Sequence, residues 1–164
     1  VEAGIVLAGQ IMKVKALLYS DGSERSLSAA IYAAALMKTN PEMELTILTF
    51  SRTGPGESWD GWIDDSVLSS IGKEALAKTR RIFEERKLEV ATIEAVETGK
   101  VARAIVDYAK KGGYNLIIVR TKGPSELRAL VQGSIAFDVV QLSECPVLLV
   151  KKLPEVILAG LDQE

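Results

Sequence analysis

Residues 115–152 read NLIIVRTKGPSELRALVQGSIAFDVVQLSECPVLLVKK, and the fold turns on this stretch. NLIIVR (115–120) and PVLLVKK (146–152) are short apolar runs with the composition of strands, and the pattern at 134–142 is helical. Strand, helix, strand in that order cannot close as a hairpin. The chain must return by a crossover, which makes the two strands parallel.

The same alternation continues toward the N-terminus. VKALLYS (14–20), ELTILTF (44–50) and EVATIEAV (89–96) read as three more strands. Segments 24–38, 64–87 and 100–111 read as helices, with Leu27, Ile31, Ala34 and Ala35 at helical spacing in the first and Val101, Ile105 and Ala109 in the third. Five strands interleaved with four helices predict an α/β fold: a five-stranded doubly wound parallel sheet, a flavodoxin- or Rossmann-like sandwich with helices on both faces. In such a sheet, ligands bind beyond the carboxyl ends of the strands.

Composition narrows the chemistry. A chain of 164 residues, 48% hydrophobic with a formal charge of -2, suits one compact domain, placed at 13–152. Residues 1–12 read as an N-terminal extension or leader, and 153–164 as a C-terminal tail. The absence of histidine removes Ser-His-Asp triads, Cys-His dyads and His-zinc sites together. No basic cluster exceeds a pair, which argues against nucleic acid as a partner. The apolar start carries Glu2 and is too short to span a bilayer, so no membrane anchor is expected. A lone Cys145 suits the reducing cytoplasm and is expected to be buried and structural. VILAG (156–160) echoes IVLAG (5–9), as short strands pairing with each other or with a second subunit would, but chance is the better account of such a match in a chain this rich in Ala, Val, Ile and Leu.

Two loops fall on the carboxyl edge. In YSDGSERS, Asp21 and Gly22 form the turn after the first strand and Ser23 caps the helix starting near Glu24. Asp21 is suited to accept from a ribose hydroxyl or a base amine, and equally to ordinary turn chemistry. In the second loop Gly123 permits a close backbone approach. Gly133 and Ser134 open the helix that starts at Ile135, presenting unpaired N–H groups suited to an anion. The glycine spacing is neither a Walker loop nor a dinucleotide fingerprint.

The DGSE turn (21–24), LTILTF (45–50), ETGKVARAIVDYA (97–109) and the 115–152 block together resemble the universal stress protein family over about Lys13 to Lys152. In ATP-binding members that block carries Gly-x2-Gly-x9-Gly-Ser/Thr, and here Gly123, Gly133 and Ser134 match it while Arg120 replaces the first glycine. Arg120 then has three readings: it crowds the ligand, it pairs with a phosphate, or it is a solvated charge at the strand end. The resemblance implies that Asp21 contacts adenosine, with Tyr19 and Ser20 at the pocket edge, that Val119 precedes the glycine loop, and that Phe50 lines the adenine pocket. Phe50 either stacks on the base or fills the pocket. The resemblance also implies ATP or AMP as ligand, with magnesium if ATP, and a homodimer through the 146–152 strand. With no histidine and no carboxylate dyad at the glycine loop, catalysis is not expected, slow ATP hydrolysis stays open, and a small enzyme on the same fold ranks last. The rival is a dimeric interaction module without nucleotide, which Arg120 and Phe50 favour.

The segment 51–66 carries Trp59 and Trp62, suited to a lid or partner patch or to packing back on the domain. Its Asp60, Asp64 and Asp65 are explained by a helix start rather than by a metal.

Overall fold

A computed structural model of the chain describes residues 13–51, 65–96, 99–121 and 134–162. Within them the elements run β1 (Lys15–Tyr19), α1 (Glu24–Thr39), β2 (Glu44–Ser51), α2 (Asp65–Glu85), β3 (Ala91–Val96), α3 (Val101–Gly112), β4 (Leu116–Arg120), α4 (Ile135–Leu142), β5 (Val147–Val150) and α5 (Glu155–Asp162). The strands form one five-stranded sheet in the order β3-β2-β1-β4-β5. Every neighbouring pair is parallel, as the alternation predicts.

The central strands read as unbroken apolar runs because both faces of the sheet are covered. In β1, Ala16 and Leu18 join Ile47, Phe83 and Ile118 in one core layer, while Leu17 and Tyr19 join Leu48, Ile105, Val119 and Val139 in the other. The alanines of α1 explain how it lies close on the first layer: Ala29, Ala30, Ala33 and Ala34 are all fully buried. At the far end of α3, Gly113 takes the left-handed conformation (φ 68°) and ends the helix, a role glycine fills without steric cost.

Two expectations change. The tail at 156–160 lies in a helix, not a strand; it starts with Ile157 and Leu158 donating to the Pro154 carbonyl and packs on α1. Cys145 is half-buried instead of buried, beside the Ser143 hydroxyl. Residues 1–12, most of the tryptophan segment (52–64) and residues 122–133, with Gly123 and Gly133, lie outside the described residues.

Candidate functional site

The order of the strands creates the site. From β1 the chain moves by α1 to β2 on one side, whereas α3 carries it back across the sheet to β4 on the other side of β1. The connection that leaves β1 runs toward β2 and the one that leaves β4 runs toward β5, so they depart from the carboxyl ends of these neighbouring strands in opposite directions, and a crevice opens at such a switch point.

The β1 lip is a tightly bonded turn. Gly22 sits at φ 75°, a conformation glycine adopts without the cost of a Cβ. Ser23 caps α1 and accepts from the Ser26 N–H at 3.3 Å. The Asp21 carboxylate closes the turn through Oδ1, which accepts from the Ser23 N–H at 3.0 Å and from the Ser26 hydroxyl at 2.5 Å. Ser20 lies beneath, fully buried, with its Oγ 2.7 Å from Thr79 Oγ1 of α2. Thr79 gives its own proton to the Ala75 carbonyl, so Ser20 is the donor of that pair. Its oxygen then accepts from the Gly22 N–H at 3.3 Å. The side chain of Ser20 thus serves the turn from below.

The β4 lip supplies the counter-charge. Arg120 Nη2 donates to Asp21 Oδ2 at 3.1 Å, across 99 positions of sequence. The pair is partly sheltered, with the arginine side chain 17% exposed and the aspartate 32%. Burial pushes the Asp21 carboxyl upward, but the hydrogen bonds from Ser23 and Ser26 and the Arg120 charge outweigh it and hold its pKa at about 2. The site therefore holds an ionised carboxylate and a guanidinium in contact. Arg120 is thus paired with Asp21 and mostly sheltered.

The other candidates are distributed around this pair. Val119 is fully buried in the core layer under the β4 end, so its side chain is structural there. Ser134 caps α4, accepting from the Phe137 N–H at 3.3 Å, and half-buried Ile135 follows it against the core. Because α4 runs from the connection leaving β4 back to the start of β5, its N-terminus faces the carboxyl edge. Phe50 packs between two rings, 5.9 Å from Tyr19 and 6.5 Å from Tyr108. Gly123 and Gly133 lie outside the described residues.

Two contributors escape a reading of the sequence alone. Ser26, at the third position of α1, holds both the carboxylate and the backbone N–H of Asp21. A Ser at that position of a capped helix is a signal that it can reach back over the cap. Tyr108 completes the aromatic cluster from mid-α3, where nothing in the local pattern distinguishes it from a surface residue.

This architecture and this chain have known relatives. Residues 15–151 match the family model described as the universal stress protein family. Universal stress protein MJ0531 of Methanocaldococcus jannaschii is 33% identical over 90% of this chain and 88% of its own length. Universal stress protein YxiE of Bacillus subtilis is 34% identical over 84% and 98%. Among solved structures, the universal stress protein from Archaeoglobus fulgidus in complex with dAMP superposes with TM-score 0.60 at 18% identity, covering 87% of this chain and 100% of that one. A family protein from Arabidopsis thaliana with AMP bound superposes with TM-score 0.65 at 14% identity, covering 87% and 94%. With the fold and the sequence agreeing, the chain belongs to the universal stress protein family.

Proposed function

We propose that this protein is a cytoplasmic stress-response module that binds an adenine nucleotide, AMP or ATP, in the crevice between the β1 and β4 ends, and that it regulates rather than catalyses. The observation that carries the reading is the meeting of Asp21 and Arg120 across the switch point, which puts an acceptor for ribose hydroxyls beside a cation suited to phosphate. The capped N-terminus of α4 faces the same edge and favours an anion there. The dAMP and AMP held by the two structural relatives support the ligand class. With ATP, magnesium would arrive on the phosphates.

The protein acts as a homodimer in this reading, since among the described residues β5 ends the sheet with β4 on one side only, leaving an edge suited to a second copy. Sedimentation equilibrium giving a monomer mass would remove that part.

A second reading has its own support. Arg120 already neutralises Asp21, and Phe50 is engaged by two tyrosines, as in a member that has filled its pocket and serves as an interaction module. Calorimetry with AMP and with ATP plus magnesium separates the two. Saturable binding at one site per chain is expected, and a folded chain giving no binding heat with either ligand supports the interaction module instead.

A further inference from the structure

We infer that Arg120 makes the crevice select phosphorylated adenosine over the neutral nucleoside by guarding the carboxylate oxygen that a ligand must use. The inference rests on the nucleotide reading above and adds to it the origin of the selectivity. Asp21 Oδ1 is committed inside the turn, to the Ser23 N–H and the Ser26 hydroxyl. Oδ2 takes no part in those turn bonds, and among the described residues its donor is Arg120. A ligand hydroxyl that donates to Asp21 therefore competes with the guanidinium for the same atom.

The two classes of ligand compete on unequal terms. A neutral nucleoside replaces a charge-assisted bond with a weaker one and leaves a mostly sheltered guanidinium without its anion. A nucleotide takes the carboxylate with its ribose and offers the displaced guanidinium a phosphate, whose oxygens suit the planar fork of arginine. One ion pair is then exchanged for another, and the charge balance of the crevice is kept. A glycine at position 120 would impose no such condition, because it would leave Oδ2 open to either ligand.

The test is calorimetric titration of the native chain, Arg120→Met and Arg120→Gln with AMP and with adenosine at one ionic strength. The native chain is expected to prefer AMP by about tenfold or more, the scale of one charge-assisted hydrogen bond. In Arg120→Met, adenosine binds more tightly and AMP more weakly, so the preference largely disappears. Arg120→Gln, which keeps a donor but not the charge, is expected to follow it and carries the same comparison if the methionine variant does not fold. An AMP-to-adenosine ratio unchanged in the variants overturns the inference and leaves the nucleotide reading intact. A native chain that binds neither ligand, with variants that bind both, also overturns it, since Arg120 would then be a plain block. Failure of all three folded chains to bind either ligand overturns the nucleotide reading itself.

Discussion

Asp21 uses its two oxygens for different ends, Oδ1 to hold the turn and Oδ2 to pair with Arg120, and the ion pair requires that it be charged. Its pKa is held at about 2, below the ordinary carboxylate value, so the folded state binds the proton less readily than the unfolded chain. The stability this contributes is complete above the unfolded value near pH 4 and is lost as pH falls toward 2. With the side chain a third exposed, solvent screening leaves about 1 kcal/mol of the effect. Urea unfolding of the native chain and of Asp21→Asn at pH 4.5 and 2.5 checks this. The native chain is expected to lose about 1 kcal/mol more than the variant over that interval, and equal losses would show that the carboxylate is not held down by the fold. The turn role was readable in DGSE, because Asp and Gly at those places have a local mechanism. The pairing with Arg120 was not, because it joins residues 99 positions apart.

At the scale of elements, the β1–α1 connection is wedged against α2. A Cβ built on Gly22 would lie 2.7 Å from the Ala75 Cα, and its φ of 75° is costly for other residues. Gly22→Ala is expected to destabilise the fold by about 2–4 kcal/mol, combining strain and overlap. Chemical denaturation measures it, and a loss below about 0.5 kcal/mol would mean that α2 yields freely there. Such constraints explain which elements could be read in advance. The strands of the sheet centre announce themselves because both faces are buried, and α1 announces its start by its cap. Strand β3 begins at Ala91, two residues after the predicted start, because its register with β2 opens at Thr46 opposite Ala91. The echo in the tail was a poor guide for a physical reason. A five-residue apolar run carries no period that separates strand from helix, and packing on α1 decides the outcome.

For the whole molecule, alternation of strands and helices implies a parallel sheet, but it does not state which strands adjoin. The adjacency of β1 and β4 comes from the crossover by α3, and it is what turns two unremarkable sequence positions into one site. Composition could exclude histidine chemistry, the alternation could point to the carboxyl edge, and the family pattern could nominate Asp21 and Arg120. Only the assembled sheet brings their side chains to 3.1 Å. The same sheet offers an alternative location for a ligand. A cavity of about 240 Å³ at the opposite edge is lined by residues of α3 together with Gly113, Tyr114 and Leu142 to Cys145. Titration of isotope-labelled protein with AMP, followed by backbone amide shifts, distinguishes the two edges in one experiment. The account predicts that the amides of Asp21, Gly22, Ser23, Arg120, Thr121 and Phe137 move together with one saturation curve. Silence at those amides, or shifts centred on Gly113, Tyr114 and Ser143 to Cys145, would contradict it.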